Sequence, residues 1–143
     1  MRVPKVLSAW FKFPDDPDNS EFKFKLLNPG ELAEVQDASF DVTIEFTDEG
    51  TGKRLGRPTT KEGKEKEVYL ATLDWKNVFD SDGSEIKYNK GNKLRPLREC
   101  PGFYEFFADS MEKLNDMRDA QEKNLSDTLT DSKKSQHVEP VKS

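Results

Sequence analysis

The chain has 143 residues, of which 33% are hydrophobic and 36% charged, and its formal net charge is -5. That length fits one domain, with a small core resting on ten phenylalanines and two tryptophans, each able to bury about 150–250 Å². Interleaved acids and bases exclude a cationic stripe for nucleic acid, the short apolar runs exclude a membrane span, and a single cysteine excludes an internal disulfide or a cysteine zinc cluster.

Residues 1–10 lack the apolar core of a signal peptide. With only Cys100 as a thiol, the expected compartment is a reducing cytoplasm.

Leu7, Ala9, Phe11 and Phe13 alternate with Ser8, Trp10 and Lys12, and Phe22, Phe24 and Leu26 alternate with Lys23 and Lys25. Period-two alternation puts each apolar set on one sheet face. Between them lies Pro14-Asp15-Asp16-Pro17-Asp18-Asn19-Ser20, whose residues favour turns. A hairpin over 6–27 is expected, with Lys23 and Lys25 on its wet face.

Asn28-Pro29-Gly30-Glu31 reads as a helix start: Asn28 as cap, Pro29 at the first position, and Glu31 completing a capping box. This helix ends near Ala38 and must pack on the sheet to persist. Phe40, Val42, Ile44 and Phe46 then alternate with polar residues in the clearest strand signal of the chain. A turn over 47–52 follows, with a weak return strand at 53–57. Residues 58–66 are polar and expected as an exposed mobile loop.

From Val68 to Phe79 the apolar positions favour a helix over 65–75, with a strand over 67–73 as the alternative. Asp80-Ser81-Asp82-Gly83 is a turn, 85–88 a short extended piece, and 89–98 a basic stretch with a short helical turn. The strongest helix begins at Pro101, where Phe103, Phe106, Phe107, Ser110, Leu114 and Met117 form one stripe about 100° wide. After Met117 the apolar residues thin out, and 119–143 is expected to be largely disordered, with helix continuing to about Asn124. The expected class is α+β: a small antiparallel sheet, the N-terminal hairpin plus a central strand, packed with two or three helices, a long C-terminal helix and a disordered tail. The single domain spans 1–118 and the polar tail 119–143.

Catalytic constellations are poorly served. His137 is the only histidine and sits in the tail, where no structure would fix it as a base or a metal ligand. Cys100 at a helix start has no positioned base. Asp80-Ser81-Asp82-Gly83-Ser84-Glu85 fails the calcium-loop spacing, because Gly83 falls at position 4. Neither glycine-rich phosphate motif occurs. The expectation is a non-enzyme with no cofactor and no metal site. Candidate protein-binding residues are the large aromatics Trp10, Trp75, Phe103 and Phe107, with Trp10 on the opposite sheet face from Phe11 and Phe13. Burial in a core is the competing reading for each.

Several segments together resemble a family. They are Asn28-Pro29-Gly30-Glu31-Leu32-Ala33-Glu34-Val35, then Leu73-Asp74-Trp75-Lys76-Asn77-Val78, then Asp80-Ser81-Asp82-Gly83. Asn92-Lys93-Leu94, Pro101-Gly102-Phe103 and Gln121-Glu122-Lys123-Asn124 follow. Over about residues 20–124 the chain resembles the small tail assembly chaperones of long-tailed bacteriophages and prophages. The resemblance implies a protein that binds and solubilises the tape measure protein in the bacterial host cytoplasm. It also implies recruitment of tail tube protein, with no catalytic residue, no nucleic acid and no membrane as partner, and with homo-oligomer formation left open. The other reading is a phage structural component such as a tail terminator or head–tail connector.

Overall fold

The computed structural model describes residues 1–2, 5–39, 44–46, 53–55 and 58–142, with 44–46, 53–55 and 124–142 described by backbone alone. The two alternating phenylalanine segments form β1 (Ser8–Lys12) and β2 (Glu21–Lys25). They pair antiparallel with Phe11 opposite Phe22 and Trp10 opposite Lys23. Pro14, Asp15 and Asn19 shape the connection, with Asp15 and Asn19 in the left-handed region at φ 53° and 55°, which Asp and Asn tolerate better than most residues. The hairpin expected over 6–27 is therefore present.

Helix α1 (Pro29–Ala38) starts as its sequence dictates. Asn28 Oδ1 accepts from Glu31 N at 2.8 Å, and Glu31 Oε1 accepts from Asn28 N at 3.0 Å, so both halves of the capping box form. Glu31 Oε2 also takes Lys25 Nζ at 2.6 Å, tying the cap to β2.

Strand β3 (Ile44–Phe46) pairs antiparallel with β4 (Lys53–Leu55) in a separate two-stranded sheet. The expected strand positions Phe40 and Val42, the turn at 47–52 and residues 56–57 lie outside the described residues.

Two expectations need correction in the next segment. Residues 58–66 are not a loop throughout: helix α2 runs from Lys61 to Ala71. Thr60 caps it, its Oγ1 accepting from Gly63 N at 3.1 Å. Gly63, which would pass for a breaker, is there for space: a Cβ would lie 2.6 Å from Ser39 Cβ and 2.8 Å from Pro58 Cβ. The helix expected over 65–75 stops at Ala71, and β5 (Thr72–Lys76) follows without an intervening turn. Thr72 ends the helix by folding its hydroxyl back onto Val68 O at 2.7 Å.

Strand β5 completes the main sheet, in the order β1-β2-β5, both pairings antiparallel. The third strand of the main sheet is thus Thr72–Lys76, within the segment expected as helix, and not the strand expected over 40–46, whose described part pairs with β4 instead. Phe22 faces Trp75 across the ladder, and a register shift at Lys23/Phe24 leaves Leu73 as an extra residue.

Short helix α3 (Arg95–Glu99) leads into α4 (Phe103–Lys142). Of the expected stripe of α4, Phe103, Phe106, Phe107, Ser110 and Leu114 are buried, with Met111 added, while Met117 is exposed. These side chains meet Phe22 and Phe24 from the sheet, as in the edge-on contact of Phe24 with Phe107 at 5.0 Å and 89°. Val68 and Ala71 of α2 close the core from the side. The fold is α+β, with a small antiparallel sheet, packed helices and a long C-terminal helix. Among the described residues, Leu114 is the last that α4 gives to the core.

Candidate functional site

One end of the main sheet carries a cleft of about 390 Å³, within the range of about 300–1,000 Å³ typical of ligand pockets. Its floor is apolar: Phe13, Phe22, Val78, Ile86 and Phe103. Phe13 and Phe103 lie nearly parallel at 6.4 Å, and Phe22 meets Phe103 edge-on at 5.1 Å. The rim is polar, formed by Asp16 and Asp18 of the β1–β2 turn, Asp80 after β5, and Arg95 and Glu99 of α3.

Local hydrogen bonds hold this rim in place. Asp16 accepts from Asp18 N at 3.1 Å and from Ser20 N at 3.0 Å. Asp80 Oδ1 accepts from Asp82 N at 2.9 Å and Ser84 N at 3.0 Å, closing the turn in which Gly83 takes φ 83°. Ser20 Oγ donates to Asn77 O at 2.6 Å, and Asn77 Nδ2 donates to Asn19 O at 3.3 Å, so the two Asp-rich turns are stitched to each other. Below them Trp75 Nε1 donates to Ile86 O at 2.7 Å, which fixes one floor residue from inside the core.

Three groups on the rim, Asp16, Arg95 and Glu99, depart from ordinary titration. Burial pushes Asp16 up, but hydrogen bonds from Ser20 and Asp18 outweigh it, helped by the charge of Lys12, and the carboxyl lies below its usual range. Arg95 binds Glu99 at both nitrogens, Nε to Oε2 at 2.7 Å and Nη2 to Oε1 at 3.2 Å, and this hydrogen bonding lowers the Glu99 pKa. Beside them, burial pushes the Cys100 thiol up, with Asp16 adding to it. A protonated thiol at neutral pH is the opposite of what nucleophilic chemistry needs.

A second, more open depression of about 720 Å³ lies across α3, between residues 61–65 and 102–105. Arg98 and Glu65 bridge it, with Nε to Oε1 at 2.9 Å and Nη2 to Oε2 at 3.1 Å. The first cleft, with its aromatic floor, is the better candidate for taking a side chain from a partner.

The four aromatics expected at a binding surface divide sharply. Trp75, Phe103 and Phe107 are buried in the core. For Trp75 and Phe107 the partner-contact reading is therefore corrected: the sheet and α4 cover them, and a partner would have to open the core to reach them. Phe103 is also core, yet part of its ring forms the cleft floor. Trp10 is half-buried and lies outside the core cluster, with Lys76 Nζ 4.2 Å above its ring. The structure does not bring the four together. Sequence reasoning missed Phe13, Phe79, Asp16, Asp80 and Arg95. The available signal was a pair of Asp-rich turns, each following an aromatic residue, at Phe13 and Phe79.

Among the described residues no group of three or more His, Cys, Asp or Glu side chains could hold a metal ion. No described helix is long and apolar enough to cross a membrane. Comparison with protein families, with curated proteins and with solved structures finds no match for the chain.

Proposed function

We propose that this protein is a non-enzymatic tail assembly chaperone of a long-tailed bacteriophage or prophage. In this reading it works in the host cytoplasm, binds the helical tape measure protein, keeps it soluble and helps recruit tail tube subunits. The observation that supports the reading is where the segments bearing the family resemblance meet. The Asp80-Ser81-Asp82-Gly83 turn stands on the rim of the cleft, and Pro101-Gly102-Phe103 delivers Phe103 to its floor. Trp75 pins Ile86 of that floor from below. An aromatic floor with a charged rim suits a partner that must be held and then released: apolar contact gives affinity, and polar edges keep the free protein soluble.

The direct test is co-expression with the long helical tape measure protein of the same phage or prophage. The expected outcome is a soluble, co-purifying complex, against an insoluble partner when expressed alone. Unchanged partner solubility sinks the proposal. A tail terminator or head–tail connector would remain in purified particles, so detection of this chain there by mass spectrometry favours that other reading.

A further inference from the structure

The cleft has a charge as well as a shape, and the charge narrows what it accepts. Four carboxylates stand at its mouth, from Asp16, Asp18, Asp80 and Glu99, against the cations Arg95 and neighbouring Lys12. Arg95 is already matched by Glu99 through its two hydrogen bonds. Asp16 and Asp80 are fixed by backbone N–H donors, so they face an incoming group without further ordering. Phe79 lines the same mouth and is 40% exposed. An exposed aromatic beside an apolar floor, ringed by acids, is complementary to an apolar side chain flanked by cations.

We infer that the cleft is a docking site for a cationic amphipathic segment, which lays one large apolar side chain against Phe13 and Phe79 at the cleft mouth and sets its Lys or Arg neighbours against the Asp18 and Asp80 carboxylates. That the segment is helical rests on the chaperone reading; its charge rests on the cleft alone. Anionic segments are repelled by the same rim, so the acids act as a filter on partner sequence as well as an attraction.

The probe is a pair of fluorescent amphipathic peptides of roughly 18 residues, long enough to hold helical form on a surface. Both carry the same leucine ridge; one is flanked by lysine and the other by glutamate. Fluorescence anisotropy with the full chain should show the lysine peptide binding at least tenfold tighter, with the gap shrinking as salt rises. Asp18→Asn combined with Asp80→Asn should reduce that preference about three- to tenfold, the scale of two exposed ion pairs. Phe79→Ala should weaken the lysine peptide without altering its salt dependence. Asp18→Asn alone guards against misfolding, since the Asp18 carboxylate accepts no hydrogen bond among the described residues, and it should remove part of the preference. Equal binding of the two peptides, absence of binding by both, or full preference in the double variant overturns the inference. A solubilised tape measure protein together with equal peptide binding defeats the charge filter alone. A charge-selective cleft together with an insoluble partner defeats the chaperone reading alone.

Discussion

Leu114 and Met117 sit three residues apart on α4, both apolar and both within the same stripe. Leu114 is 0% exposed and Met117 41%. The difference comes from what lies underneath. A five-residue strand spans about 17 Å at roughly 3.4 Å per residue. Twelve helical residues, the length from Phe103 to Leu114, span about 17–18 Å at 1.5 Å each. Helix α4 is thus packed over a length that matches one sheet strand, and at Met117, beyond it, an apolar side chain meets water. A helix can continue by its own hydrogen bonds, whereas packing needs a partner surface.

The largest test of this contrast is a pair of truncations to alanine. Phe107 is fully buried and makes the 5.0 Å edge contact with Phe24. Phe107→Ala should cost about 3–5 kcal/mol, the usual penalty for an aromatic removed from a rigid core. Met117→Ala should cost under about 0.5 kcal/mol, as at other exposed positions. Urea denaturation followed by far-UV circular dichroism measures both. Similar costs at the two sites would break the contrast.

Arg118 marks the boundary itself. Among the described residues its buried Nε and Nη2 atoms find no hydrogen-bond partner, and Asp119 Oδ1 lies 3.6 Å from Nη2. Unsatisfied buried donors cost about 1–3 kcal/mol, while the partly exposed ion pair returns about 1 kcal/mol at most. Arg118→Met keeps the length of the side chain and removes the donors, so it should raise stability by about 1 kcal/mol. A lower urea midpoint would mean that the guanidinium is satisfied in solution and that polar packing extends past Leu114.

Much of this architecture was legible along the chain because its signals are local. The hairpin follows from alternation around a Pro- and Asp-rich turn, and α1 from Asn28 and Glu31 three residues apart, whose two hydrogen bonds both form. The α4 stripe was legible for the same reason. The passage from α2 to β5 was not, because no Gly or Pro separates Ala71 from Thr72. Val68 and Ala71 fit a helix, Thr72 and Trp75 sit at the same spacing, and the switch depends on β2 offering a vacant edge. Gly63 reads as part of a loop in sequence because its use, the close approach of α2 to Ser39 and Pro58, is a tertiary fact. The cleft was hidden for the same reason: its floor draws on Phe13, Phe22, Val78, Ile86 and Phe103, which only pairing and packing bring together.

The smallest expected effect concerns the distal half of α4. The helix runs to Lys142, although residues 119–143 carry only Leu125, Leu129, Ala120, Val138 and Val141 as apolar side chains. A lone helix of such composition is marginal in water, since propensity alone barely offsets the cost of ordering it. Ending the chain after Lys123 should therefore leave the urea midpoint of the remaining domain within about 0.5 kcal/mol of the full chain. Circular dichroism on the same pair of proteins adds a second reading. A loss of helical signal proportional to the residues removed means that the segment holds its helix without help from the domain; an unchanged absolute signal means that it is helical only when a partner packs against it. A fall in stability of more than about 2 kcal/mol, the scale of a lost core side chain, would show that the distal half packs on the domain, and the limit set by strand length would then no longer hold.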